Sequence, residues 1–295
     1  MKEPISILLD ESLGSQKKLL SKCAVIHDIQ SIGKNIRYWC RKSDLPKIKV
    51  PINIENKIIF YGSSDFHHVT YNFLRKIKKP TTLLLLDRHT ECLKFFNGWI
   101  YCGSWIYDVL KLPNISKVII VGVDSDLQVA FLTDLLNPLL VPLIIDLNSL
   151  INKVKIFPYI SYNKRFLNKN TLKKLENIIT SPLSNVNKHL PEILENIKTD
   201  DVYVSIDKDV LTKDYSVTNW GNGRMSLDSL LQFIGRLSHE KNIVAIDICG
   251  DVSQDKPNGF FRKIRFYSEM VSKCNTNQQI NEKTNITLLE HLKKL

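Results

Sequence analysis

Two carboxylates close an apolar, β-branched run, in which Val202, Val204 and Ile206 lead into Asp207-Lys208-Asp209. Such a run reads as a buried strand. Side chains at i and i+2 of a strand share a face, so Asp207 and Asp209 are expected to point together at the mouth of a sheet. Like charges placed that way repel unless a cation lies between them. Upstream, four leucines at 83–86 form a second candidate strand that runs into Asp87-Arg88-His89-Thr90-Glu91. If the extended geometry continues, Asp87, His89 and Glu91 project to one side. Carboxylates with imidazole form a donor set for Mn²⁺ or another divalent first-row ion, rather than for calcium or a thiolate-bound zinc. A third polar turn, from Gly62 to Thr70, carries His67 and His68. One of these histidines is a plausible further ligand and the other is spare.

The elements that must position these groups follow a repeated pattern. Apolar runs at 5–9, 57–61, 82–86, 118–123, 143–145, 202–206 and 243–246 each end on an acidic or polar residue, and amphipathic stretches separate them. Strands alternating with helices imply βαβ units and an α/β fold around a mainly parallel sheet. Ligands bind such sheets at the carboxyl ends of the strands. Some of the acids there are helix caps, which is the reading for Asp124 and Asp146. Leu227, Leu230, Leu231, Ile234 and Leu237 recur at helical spacing behind Ser226, a good N-cap. The polar stretch 152–187 reads as a loop and an exposed helix. The run 275–285 reads as a polar, mobile segment before a last amphipathic helix over 286–295. No stretch reads as an interdomain linker, so 1–295 is expected to form one domain, and no Gly-rich phosphate loop is present.

Composition narrows the class further. The six cysteines show no CxxC spacing, which argues against a zinc ribbon or disulfide framework and fits a reducing cytoplasm. The amino terminus lacks the pattern of a signal peptide, and no apolar run reaches the length of a membrane span, so a soluble, cytoplasmic protein without membrane partners is expected. The net charge of +11 is spread along the chain without interleaved aromatic platforms. That distribution disfavours nucleic acid and is compatible with an acidic peptide partner.

The motifs resemble the arginase, agmatinase and formiminoglutamase group of binuclear manganese ureohydrolases. The family carries a Gly-Gly-Asp-His-Ser turn, an Asp-Ala-His-x-Asp strand end and a Ser-x-Asp-x-Asp strand end. Ser205-Ile206-Asp207-Lys208-Asp209 is the nearest match, Asp87-Arg88-His89-Thr90-Glu91 has Glu in the last ligand position, and the turn at 62–70 fits with one inserted residue. The resemblance spans about 57–251. It implies a three-layer α/β/α sandwich and two Mn²⁺ ions held by His67, Asp87, His89, Glu91, Asp207 and Asp209. It also implies hydrolysis of a guanidino group, with Asp87 and His89 in the catalytic centre.

Departures from the family pattern shape the substrate expectation. Cys102-Gly103 stands where the family has a His-Gly pair whose histidine shuttles protons. Leu93, Lys94 and aromatic residues replace the groups that hold the free amino-acid end of arginine, which should weaken binding of free arginine. In Ile246-Asp247-Ile248-Cys249-Gly250-Asp251, Gly250 takes the place of the glutamate that grips the guanidinium, and Asp251 is the expected anchor. Trp105 and Cys102 are expected beside it against the substrate, with Cys102 and Cys249 otherwise read as small buried residues. Arginine within a peptide, converted to ornithine, is the preferred substrate. Free arginine, agmatine or another small guanidino compound, a metal-dependent amide hydrolysis, and a non-catalytic binding role are the alternatives.

Overall fold

The computed structural model describes residues 2–48, 53–125, 147–161, 169–270 and 278–295. Among them, eight strands form one sheet whose strands, by first residue, lie in the order Val25, Glu3, Lys57, Asn242, Asp201, Thr81, Ile115, Val154, and every pairing in it is parallel. The strands are β1 (Glu3–Leu8), β2 (Val25–Asp28), β4 (Lys57–Phe60), β5 (Thr81–Leu86), β7 (Ile115–Val121), β8 (Val154–Phe157), β9 (Asp201–Asp207) and β10 (Asn242–Cys249). A short antiparallel pair, β3 (Trp39–Arg41) with β6 (Trp99–Tyr101), lies outside it.

Both faces of the sheet are covered, which explains the near-continuous apolar strands. Leu83, Leu85 and Tyr203 point into one core, while Leu84, Leu86, Val204 and Ile206 point into the other. Helices at Gln30–Ile36, Thr70–Leu74 and Ile106–Val109 cover the first face. Those at Leu190–Asn196, Leu227–Glu240 and Gln278–Leu292 cover the second. The result is the expected three-layer α/β/α sandwich. Ser226 caps the long helix, its Oγ accepting from Ser229 N at 3.2 Å.

Several details differ from the sequence reading. The polar stretch 152–187 contains strand β8 as well as the helix Lys169–Ile178. That strand is four residues long, too short for a period to show. The last helix starts at Gln278, so 278–285 is helical rather than loose. Its buried face includes Asn281, Thr284 and Asn285 as well as Leu288, Leu289 and Leu292, and that mixture hid its period. The run 143–145, Asp146 and residues 275–277 lie outside the described residues. Asp124 is an ion-pair partner, taking Arg88 Nε at 3.0 Å and Arg224 Nε at 3.4 Å. Among the described residues no helix is long and apolar enough to cross a membrane.

Candidate metal centre

Register puts the chemistry in one row. Leu86 pairs with Ile206, and Ile206 with Ile248, so the next residues, Asp87, Asp207 and Cys249, sit side by side at the carboxyl edge. In a parallel sheet, residues in register point to the same face. The row one step below holds Leu85, Ser205 and Asp247 on that same face.

The strands end sooner than an extended reading requires. β5 stops at Leu86, and Asp87 accepts the His89 N–H at 2.7 Å, closing a turn that brings His89 back. Glu91 has φ +56, a left-handed conformation uncommon for a residue with a side chain, and it redirects the carboxylate inward. β9 ends on Asp207, which caps the 3₁₀ turn Lys208–Val210 by accepting from Asp209 N at 3.1 Å. The turn, rather than strand alternation, therefore sets Asp209 beside Asp207.

His67 arrives from the 3₁₀ turn Ser64–Val69, which follows β4. Its Nδ1 lies 3.2 Å from Asp87 Oδ2 and 3.4 Å from Asp207 Oδ2. His89 Nδ1 lies 2.9 Å from Asp209 Oδ2 and 3.4 Å from Asp87 Oδ1. Three overlapping trios have ligand atoms within 4.8 Å of one another: His67, Asp87 and Glu91; Asp87, His89 and Asp209; and His67, Asp207 and Cys249. His68 is turned away. Its ring is fully buried facing the Ile36 backbone, and burial followed by the charge of His67 pushes it down to about 3, so it stays neutral.

This donor set fits a pair of divalent cations. His67 Nδ1, Asp87 Oδ2 and Asp209 Oδ2 are buried and carry no hydrogen bond. Buried polar atoms seldom lack hydrogen bonds, and these three converge on one point. Burial and then neighbouring carboxylates push Asp207 up, and push Asp209 and Glu91 well up. Asp87 goes the other way: burial opposes ionisation, but the adjacent His67 and His89 rings bring it to about 2. Burial also disfavours a charged His67, yet the adjacent Asp87 carboxylate and the surrounding negative charge lift it to about 10. Without a cation the cluster holds protons to stay near neutral, and a metal would displace them.

A supporting layer fixes the ligands. Ser205 Oγ donates to Asp247 Oδ1 at 2.6 Å, so its oxygen is left to accept from His67 Nε2 at 3.0 Å. Tyr203 OH donates to the other Asp247 oxygen at 2.6 Å. This chain occupies Nε2 and leaves Nδ1 as the nitrogen facing the carboxylates. Ser64 Oγ donates to Asp207 Oδ1 at 2.8 Å, and Trp105 Nε1 donates to Glu91 Oε2 at 2.8 Å. Ser64, Asp247 and Tyr203 escaped the sequence reading because a strand's own sequence does not show its neighbours. Asp247 looked like a strand-end acid, yet β10 runs on to Cys249 and leaves it one layer down.

Three expected substrate residues sit elsewhere. Asp251 is 1% exposed and already paired. It accepts from Lys208 Nζ at 2.7 Å, Gln16 Nε2 at 2.8 Å and Asn285 Nδ2 at 3.3 Å. With its charge neutralised inside the protein, it is not presented to a guanidinium. Trp105 is fully buried and packs on His67 with ring centroids 4.9 Å apart, which places it behind the cluster with no exposed surface. Cys102 is buried with Tyr38 and Phe266. Gly250 cannot carry the family's anchoring side chain here, since a Cβ would lie 2.6 Å from Asp207 Oδ1 and from Lys208 N.

Of the six ligand candidates, His89 is the one with substantial exposure, its side chain 20% accessible, and it marks the mouth of the site. Trp220 stands edge-on to it at 5.7 Å, held by its Nε1 donating to Asp65 Oδ1 at 2.7 Å. Asp65 in turn is locked by Arg37 in a buried ion pair at 2.6 Å. Arg265 lies over the Trp220 ring at 5.2 Å, and Arg88 Nη1 donates to the Trp220 carbonyl at 3.2 Å. From Trp220 an aromatic strip continues through Phe266, Tyr38, Tyr101 and Trp39. It ends at Phe95, stacked on Tyr101 at 5.3 Å, and at the exposed Phe96.

No family model matches the chain. An uncharacterized protein of Thermotoga maritima is 28% identical over 218 residues, covering 74% of this chain and 68% of that protein. The solved arginase of Entamoeba histolytica superposes with a TM-score of 0.54 at 11% identity, covering 100% of this chain and 99% of that one. Formimidoylglutamase of Bacillus subtilis gives 0.52 at 13% identity, covering 98% and 88%. The parallel sheet, its two helical layers and these superpositions together establish that the chain has the arginase-type α/β/α fold.

Proposed function

We propose that this chain is a hydrolase of the ureohydrolase class, cleaving a C–N bond of a guanidino group at a centre of two divalent first-row ions, with Mn²⁺ the first candidate. The observation that carries the reading is the convergence of His67 Nδ1, Asp87 Oδ2 and Asp209 Oδ2, buried and without hydrogen bonds, at the carboxyl edge of an arginase-type sheet. His67, Asp87, His89, Glu91, Asp207 and Asp209 would hold the ions. When bound, the ions supply hydroxide near neutral pH by lowering the pKa of a water. The chain's own contribution is to fix the donors through Ser205, Asp247, Ser64 and Trp105, and to keep all but the His89 side of the centre dry. Net, water and R–NH–C(NH₂)₂⁺ give urea and R–NH₃⁺.

The preferred carrier of the guanidino group is a peptide, with arginine converted to ornithine. Two features support this reading. Arg265 places a guanidinium over the Trp220 ring beside the mouth, while Arg88 is neutralised by Asp124, and a cation there favours an acidic carrier over a small dication such as agmatine. Trp220, Trp39, Tyr101, Phe95 and Phe96 keep partly exposed aromatic surface around the buried Tyr38 and Phe266, on the side of the chain where Trp220 meets His89. Metal-loaded protein incubated with an acidic arginine-containing peptide should lower the peptide mass by about 42 Da, the guanidine-to-amine difference for this hydrolysis. Turnover of free arginine or agmatine but not peptide would replace the carrier and keep the chemistry. No turnover of any guanidine by metal-loaded protein would overturn the enzymatic reading.

A further inference from the structure

We propose that Cys249 ligates one ion of the pair as a thiolate, together with His67 and Asp207; this rests on the metal centre proposed above and gives its two halves different metal preferences. Cys249 is in register with Asp207 on adjacent parallel strands, so both side chains leave the sheet on the same face. Its Sγ lies 3.4 Å from Asp207 Oδ2, and the sulfur, that carboxylate and a His67 nitrogen lie within 4.8 Å of one another. His67 and Cys249 are fully buried and Asp207 nearly so. His67 Nδ1, the nitrogen left without a hydrogen bond, provides a second observation independent of the cysteine.

The backbone beyond the cysteine is built for this approach. Gly250 has φ +99, and any Cβ there would meet Asp207 Oδ1 at 2.6 Å and Lys208 N at 2.6 Å. Glycine therefore lets the end of β10 press against the end of β9, holding the thiol beside the carboxylate. On coordination the S–H proton leaves to solvent and a metal–sulfur bond forms, with no change of oxidation state. A thiolate donor favours softer ions such as Zn²⁺ or Co²⁺. The trio Asp87, His89 and Asp209 offers only nitrogen and oxygen and suits Mn²⁺. A centre with unlike ions follows.

Cobalt titration of chelator-stripped protein tests this directly. The wild type should bind two Co²⁺ per chain and show a thiolate-to-cobalt charge-transfer band in the near ultraviolet. Cys249→Ser should lose the band while keeping cobalt's visible d–d absorption, and Cys23→Ser, a half-buried thiol elsewhere, should keep both. Equal near-ultraviolet absorption in wild type and Cys249→Ser, with both ions bound, would overturn the proposal and leave the metal centre standing. Failure of the wild type to bind cobalt would instead remove the centre itself. Should Cys249→Ser not fold, X-ray absorption of the zinc-loaded wild type decides: sulfur at about 2.3 Å supports the assignment, and a shell of nitrogen and oxygen only refutes it.

Discussion

Replacing Lys208 with methionine separates two roles for Asp251, the residue that the sequence marks as a guanidinium anchor and the structure places in a buried ion pair. Lys208 and Asp251 are 0% and 1% exposed, with Nζ and Oδ1 2.7 Å apart. Removing one member of such a pair costs about 3–5 kcal/mol, because the remaining charge is left buried. Asp251 would keep the Gln16 and Asn285 amides, which places the cost toward the lower end, about 3 kcal/mol. For a chain of this length that is a fall in Tm of roughly 5 °C. The double variant Lys208→Met/Asp251→Asn leaves no charge behind and should recover much of the loss. Thermal unfolding of metal-loaded wild type, both single variants and the double variant measures this, with KM for the guanidino substrate as the second readout. Lys208→Met within about 1 kcal/mol of the wild type would refute the buried-pair argument. So would Asp251→Asn raising KM steeply at unchanged stability, which would restore the anchoring role.

Three further outcomes follow from the same geometry. Ser205→Ala removes the acceptor that orients His67, and metal affinity should fall about 10–100-fold, read by competition with a chelating dye; unchanged affinity would mean that the tautomer is fixed some other way. Gly250→Ala must push its Cβ into Asp207 Oδ1 from a φ of +99, so metal content after gel filtration should drop even where the protein stays folded; full occupancy would refute the close-approach argument. Asp10 is fully buried, and burial outweighs the charge of Arg37 to push its carboxyl from an ordinary 3.8 up to about 7. The folded state then holds a proton that the unfolded state releases, so this group's stabilisation is complete below about pH 4 and is lost as pH rises to about 7. Relative to Asp10→Asn, wild-type stability should decline over that window by up to about 1.4 kcal/mol per pH unit. Parallel stability curves for the two proteins would refute it.

The sequence by itself determined a great deal. Apolar runs closed by acids gave the strands that carry the site, because a parallel sheet buried on both faces demands such runs. The spacings Asp87-x-His89-x-Glu91 and Asp207-x-Asp209 marked a candidate cation centre, since acids gathered on one sheet edge must either share a cation or hold protons. Yet the turns after β5 and β9, not continued strands, bring those side chains together. The choice of His67 over His68 was made by a 3₁₀ turn that aims one ring at Asp87 and the other at the Ile36 backbone. Only the tertiary structure decided that Asp251 belongs to Lys208, that Trp105 lies beneath the ligands, and that Cys249 faces Asp207. Each depends on how elements distant in the chain pack together; the Lys208–Asp251 and Asp207–Cys249 pairs, 43 and 42 residues apart, leave no local pattern in the sequence.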